Sequence, residues 1–151
     1  MHKTIFILFI FIVNISRADD SFLIHQNKII LLLDSYIKAV DKKEIDEMYG
    51  YYNLPLTLHF DERDPVFIES EESFKDVFNV WKNSPKANFH HTELDSISVN
   101  EIRKDFLCVA DIVINRLNNE NNISSKARLL YHFVLVDDIW KIYMIVNVAP
   151  N

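Results

Sequence analysis

Four long segments in the second half of the chain constrain its fold most strongly. Each is rich in β-branched and aromatic residues, and together they cover residues 90–102, 105–117, 125–136 and 139–148. Short polar turns separate them, and Asp137-Asp138 fits a two-residue hairpin. Long strands joined by tight turns predict an antiparallel meander, which must twist or curve to enclose its aromatic face.

Two apolar stripes with helical spacing precede this meander. The first lies within residues 22–40 and comprises Ile29, Leu32, Leu33, Tyr36, Ile37 and Val40. The second follows Ser70, a residue type that caps helices, and comprises Phe74, Val77, Phe78 and Trp81. Because apolar residues three and four apart share one helix face, both stripes predict amphipathic helices.

Between these stripes the sequence predicts a further helix and two short strands. Asp41 can cap this helix, Leu54-Pro55 can end it, and its apolar face comprises Ile45, Met48, Tyr49 and Tyr52. Gly50 then falls inside the helix, where close packing would explain a costly glycine. Residues 56–60 and 65–68 follow as strands around a polar turn.

The N-terminal segment has the pattern of a secretory signal peptide. A short basic start at Lys3 precedes an apolar stretch over residues 4–13, and Ser16-Arg17-Ala18 places small residues before a cut. The sequence therefore predicts a signal peptide over residues 1–18 and one exported domain, periplasmic or secreted, over residues 19–151. The alternative is an uncleaved anchor, which would be the only attachment to a membrane.

Composition excludes several classes of function. With one glycine, the chain has no glycine-rich loop for phosphates. Its one cysteine, Cys108, allows no internal disulfide, and His91 and Glu93 are too few ligands for a metal. No cofactor is expected. Removing residues 1–18 leaves 14 basic against 22 acidic residues, a net charge near -8, which disfavours nucleic acid as a partner.

The order of these elements resembles the nuclear transport factor 2-like superfamily. Two local stretches carry the resemblance: residues 36–41 running into Glu44-Ile45-Asp46, and the closing Trp140-Lys141-Ile142. The resemblance implies an α+β fold in which three N-terminal helices pack on a strongly curved, mixed or antiparallel sheet of about six strands. This cone-shaped fold has a pocket at its mouth, and the chain resembles the polyketide cyclase and ketosteroid isomerase branch, with the subfamily open.

The resemblance also implies positions for site residues. Tyr36 aligns with the tyrosine that helps form the oxyanion hole of ketosteroid isomerase, whose general base is an aspartate. That base position falls on Phe60, flanked by His59 and Asp61. Phenylalanine cannot move a proton, so isomerase activity requires that His59 or Asp61 substitute for it.

Asp111 and His132 are the candidate catalytic residues within the meander. Alternation places Asp111 on a strand face with Leu107, Val109 and Val113, where burial would raise its pKa. His132 on the next strand could be oriented by Asp111 as a general base. The alternatives are an Asp111 held structurally by Arg128 and a structural His132.

Three functions remain open at this point. The first is a pocket that binds a small apolar ligand, lined by Tyr36, His59, Phe78, Trp81 and Tyr131. The second is an isomerase, dehydratase or hydrolase that uses Asp111 and His132, and the third is a non-catalytic interaction module of the cell envelope. Because residues such as Ile112 and Val113 make both sheet faces apolar, we also expect a homodimer through the face that the helices leave uncovered.

Overall fold

The computed structural model describes residues 20–60 and 64–148. This part of the chain contains three α-helices and six strands, with a 3-10 turn at Pro85–Ala87. The helices are α1 (Asp20–Lys42), α2 (Ile45–Tyr49) and α3 (Glu71–Lys82). The strands are β1 (Tyr52–His59), β2 (Val66–Ile68), β3 (His91–Arg103), β4 (Leu107–Leu117), β5 (Ile123–Val136) and β6 (Ile139–Val148). The predicted α+β class, with helices packed on a mixed sheet, is confirmed.

The strands form a sheet in the order β2-β1-β6-β5-β4-β3. Strands β3 to β6 are the predicted antiparallel meander, whereas β1 runs parallel to β6. Both residues of the last turn, Asp137 and Asp138, have positive φ values of 48° and 63°. Such values match the twist of the flanking strands, and aspartate tolerates them better than most residues.

The core lies between the helices and one face of the sheet. Alternate residues of β4 are buried there: Cys108, Ala110, Ile112 and Ile114. From the helices, Ile29 and Leu33 of α1 and Phe74 of α3 are fully buried against this inner face. Side chains on the other strand face, called the outer face here, are mostly half-buried in β4 to β6.

The predicted second helix is shorter than expected and starts later. Asp41 lies within α1, where its carboxylate accepts hydrogen bonds from the Thr92 backbone nitrogen at 3.0 Å and the Thr92 hydroxyl at 2.7 Å. Tyr52 belongs to β1, since the backbone of neighbouring Tyr51 already accepts a hydrogen bond from β6. Pairing with β6 therefore overrides the helical spacing, and Gly50 caps the end of α2 instead of lying inside it.

The predicted signal peptide lies outside the described residues, and so does most of the turn between β1 and β2. Helix α1 begins at Asp20, shortly after the expected cleavage site. Within residues 20–60 and 64–148, no helix is both long and apolar enough to cross a membrane.

Candidate ligand-binding pocket

A cavity of about 700 Å³ lies between helices α1 and α3 and the inner face of the sheet. Most of its walls are apolar. The sheet contributes Leu58, Ile112, Ile114, Ala127, Leu129 and Ile145, and the helices contribute Ile37, Val40, Met48, Val77 and Val80. A volume of this size is in the range of natural small-molecule sites, which hold roughly 300–1,000 Å³.

Tyrosine side chains form a polar cluster in the wall of the cavity. The hydroxyls of Tyr36 on α1 and Tyr52 on β1 are 2.5 Å apart, and the Tyr36 ring packs edge-on to the Tyr131 ring at 5.7 Å. Tyr36 and Tyr131 line the cavity, as predicted, while Tyr52 lies behind them. Burial raises the pKa of all three well above its ordinary value, so each stays a neutral hydrogen-bonding group.

Helix α3 supplies the aromatic wall that the sequence predicted. Its start is fixed by Ser70, whose hydroxyl accepts a hydrogen bond from the Ser73 backbone nitrogen at 3.2 Å, which confirms the expected cap. Phe78 and Trp81 both line the cavity, with ring centroids 6.2 Å apart. Phe78 also stacks on Phe74, which anchors the wall in the core.

Phe60 lines the cavity where the resemblance places a general base. His59, the residue before it, is not among the lining residues, because side chains alternate along β1 and Leu58 already points inward. The prediction that His59 lines the pocket is therefore wrong. Asp61 lies outside the described residues. Asp64 is the carboxylate that lines the described part of the cavity, on an exposed rim, and no histidine lines that part.

Asp111 and His132 do not lie in the cavity, contrary to the expectation that they would converge there. Both are on the outer face, since their neighbours Ala110, Ile112, Tyr131 and Phe133 fill the inner one. Period-two alternation correctly placed Asp111 and His132 on the face opposite to Ile112 and Phe133. Because both faces carry apolar residues, it could not show which face the helices cover.

The chemistry of Asp111 also differs from the expectation. Arg128 donates Nε to Asp111 Oδ1 at 2.9 Å and Nη2 to Oδ2 at 2.6 Å, and this pairing lowers the pKa of Asp111 where burial alone would raise it. Burial lowers the pKa of His132, whose ring packs edge-on to Tyr143 at 6.0 Å. The geometry gives no support to a catalytic pair, and the alternative of a structural Asp111 fits the contacts.

The mouth of the cavity carries polar residues that sequence reasoning missed. They are Ser84, Lys86, Thr92, Arg116 and Asn147. The signal for Arg116 was present in the sequence, because it continues the alternation of Ile112 and Ile114 on the inner face. Asn147 pairs with Leu129 across β5 and β6 and follows buried Ile145 by two residues, so the same rule places it inside.

The surroundings of His91, Glu93 and Cys108 bear on metal and thiol chemistry. His91 and Glu93 approach to 3.6 Å, but over these residues no group of three or more such side chains could hold a metal. Cys108 is buried in the core, and burial raises the pKa of its thiol to about 11, as fits a small hydrophobic residue rather than a nucleophile.

Comparison with known proteins places this geometry in a family. Residues 27–150 match the family model described as NTF2-like protein (DUF6841). The chain belongs to this NTF2-like family. The predicted resemblance to the nuclear transport factor 2-like superfamily is therefore confirmed, while the subfamily within it stays open. No curated protein sequence matches the chain significantly.

Solved structures show the NTF2-like fold over most of the chain at low identity. An NTF2-like protein of unknown function from Pseudomonas putida KT2440 is 11% identical, with a TM-score of 0.69 over 85% of this chain and 88% of that one. A protein of unknown function with a cystatin-like fold from Nostoc punctiforme has 10% identity and a TM-score of 0.67 over 82% and 90% of the chains.

A third similar structure has an enzyme's name. The putative scytalone dehydratase from Novosphingobium aromaticivorans is 11% identical to this chain, with a TM-score of 0.62 over 85% of each chain. At such identities the similarity establishes the NTF2-like fold alone, and the fold hosts both enzymes and binders.

Proposed function

We propose that this chain is an exported domain that binds a small, largely apolar molecule in the cavity between its helices and its sheet. The observation that carries the proposal is the cavity of about 700 Å³ with mainly apolar walls around a few polar groups. Natural ligand sites combine these features. An interaction module that needed only its surface would gain stability by filling this space with side chains.

The proton-transfer alternative has less support. It draws on the Tyr36 hydroxyl in the cavity wall and on the similar structure named a putative scytalone dehydratase. However, Phe60 occupies the expected base position, and the candidate pair of Asp111 and His132 lies on the outer face. A general base must reach the proton that it removes, directly or through one water.

Titration with a neutral apolar dye tests the binding proposal. N-phenyl-1-naphthylamine fluoresces strongly in apolar sites, and we expect it to bind the purified domain saturably. Ala127→Trp places a bulky ring in the cavity wall and should abolish this binding. Ser98→Trp adds the same ring beside Asp111 on the outer face, where Ser98 is exposed, and should leave binding intact.

The result can contradict the proposal clearly. Dye that binds both tryptophan variants equally well lies outside the cavity, and dye that never saturates has no site. Circular dichroism spectra must show that both variants are folded.

The proposal that the domain is exported depends on the signal-peptide pattern of residues 1–18 and needs a separate test. The proposal predicts that the exported protein begins at Asp19, after a cut behind Ala18. N-terminal sequencing of protein from the medium or envelope fraction checks this. Recovery of the chain with Met1 intact in the membrane fraction would favour the uncleaved anchor instead.

A further inference from the structure

Arg116 places a positive charge at the mouth of a cavity whose walls are mainly apolar. It lies near the end of β4, opposite Thr92 on β3 and Ser125 on β5, and its side chain lines the cavity together with Lys86. The chain as a whole is acidic, with a net charge of -6. The positive charge of Arg116 at this mouth is therefore opposite in sign to the net charge of the protein.

The guanidinium of Arg116 is held in place by groups that do not neutralise it. Nη1 donates to the backbone carbonyl of Lys86 at 3.2 Å, and the guanidinium carbon lies 4.7 Å from the centre of the Phe89 ring. Nε is buried and has no acceptor among the described residues. A buried donor without a protein partner is costly, and an acceptor oxygen from a water or from a ligand at this guanidinium would relieve that cost.

Comparison with Arg128 shows what Arg116 lacks. Arg128 on the outer face is paired by both of its edge nitrogens with Asp111. Over residues 20–60 and 64–148, no carboxylate oxygen lies within ion-pairing distance of Arg116. Asp64, the acidic residue on the described rim, projects from the chain beside β2, at the other edge of the sheet from β3.

We infer that the ligand of this cavity is an apolar molecule with one carboxylate, or a related oxyanion, that pairs with Arg116 at the mouth. The inference rests on the proposed binding function and specifies its ligand class. A planar carboxylate offers two oxygens to the fork of an arginine, and Arg116 lines the mouth of the cavity. The apolar body of the ligand then fills the space between α3 and the sheet, where apolar walls offer water few hydrogen-bond partners.

Competition between a matched acid and alcohol tests the ligand class. Decanoate and decan-1-ol carry the same alkyl chain and are titrated against bound N-phenyl-1-naphthylamine at neutral pH. We expect decanoate to displace the dye from the wild-type protein at a concentration about tenfold lower than the alcohol, as a charge-assisted hydrogen bond implies. Arg116→Gln should remove this preference while the dye itself still binds.

Two further variants keep the test decisive. Arg103→Gln removes the same charge from an exposed arginine that packs on Phe106 outside the cavity, and it should retain the full preference. Arg116→Lys keeps the charge but not the forked guanidinium, and it should retain part of the preference for decanoate over decan-1-ol. If Arg116→Gln does not fold, a reduced preference in Arg116→Lys tests the role of Arg116 in its place.

The outcomes separate this inference from the proposed function. Equal displacement by decanoate and the alcohol in the wild type overturns the role of Arg116, and so does an equal loss in both glutamine variants. In either case, saturable dye binding would still support the proposed binding of an apolar molecule in the cavity. Absence of dye binding to the wild type instead contradicts the proposed function, and the inference fails with it.

Discussion

Arg128 donates two hydrogen bonds to the carboxylate of Asp111, from Nε at 2.9 Å and from Nη2 at 2.6 Å. The two residues sit on neighbouring strands β4 and β5 and on the outer face of the sheet. A carboxylate with both oxygens engaged in this way is poorly suited to accept a proton, because its pKa is lowered. The pair therefore stabilises the contact between β4 and β5 outside the cavity.

Asp111→Asn should lower thermal stability without changing ligand binding. The amide keeps the shape of the side chain but loses the charge that Arg128 pairs with. We expect a lower midpoint of thermal unfolding and an unchanged dissociation constant for N-phenyl-1-naphthylamine. The difference in stability between wild type and variant should shrink as the pH falls below about 4, because the folded-state pKa of Asp111 is depressed and its contribution is lost on protonation. A loss of dye affinity with unchanged stability would restore Asp111 as a site residue.

His132 should make the protein less stable in mildly acidic solution. Burial lowers its pKa in the folded state, so below about pH 6.5 the unfolded chain takes up a proton that the folded protein does not. The free energy of unfolding should therefore decrease as the pH falls from about 6.5 toward the folded-state pKa. Denaturant titrations of wild type and His132→Gln at a series of pH values measure this, and the variant should show the weaker dependence. Parallel curves for the two proteins would contradict it.

The buried tyrosines should be coupled in stability. Tyr36→Phe leaves the Tyr52 hydroxyl without its partner at 2.5 Å, whereas Tyr52→Phe leaves the Tyr36 hydroxyl with Tyr131 as its neighbour. Each change should lower the free energy of unfolding by about 1–3 kcal/mol, the usual cost of a buried unsatisfied polar group. The double variant should lose less than the sum of the two, since both single changes break the same hydrogen bond. Strict additivity in urea unfolding would show that the two hydroxyls do not depend on each other.

The sequence predicted those parts of the fold that depend on local pattern. Alternation over long segments indicated β3 to β6, and Ser70 with the stripe of Phe74 and Phe78 indicated α3. The second helix was overestimated because the spacing through Tyr52 looks helical, while the parallel pairing with β6 that draws it into β1 is a long-range contact. Local spacing does not record such contacts.

The site was predicted in part for a related reason. The residues predicted from α1 and α3, Tyr36, Phe78 and Trp81, do line the cavity, because each helix buries one stripe. On the sheet, alternation divides the side chains between two faces, but it does not identify the face under the helices when both faces are apolar. Asp111 and His132 were therefore assigned to the pocket, while Arg116, two residues beyond buried Ile114, was overlooked.

The outer face should mediate a homodimer. Half-buried apolar residues, Val109, Val113 and Leu130, lie there around the Asp111–Arg128 pair, and no helix of the described chain covers them. An uncovered apolar sheet face favours self-association, and two copies related by a twofold axis would bury the same patch on each other.

Light scattering of the protein at micromolar concentration should then give the mass of two chains, and Leu130→Arg should give the mass of one. Leu31→Arg, on an exposed position of α1 away from the sheet, is the matched control and should stay dimeric. Because Leu130 does not line the cavity, the arginine variant should still bind the neutral dye. A wild-type monomer would contradict the dimer, and a monomeric Leu31→Arg protein would indicate that the interface lies on the helices instead.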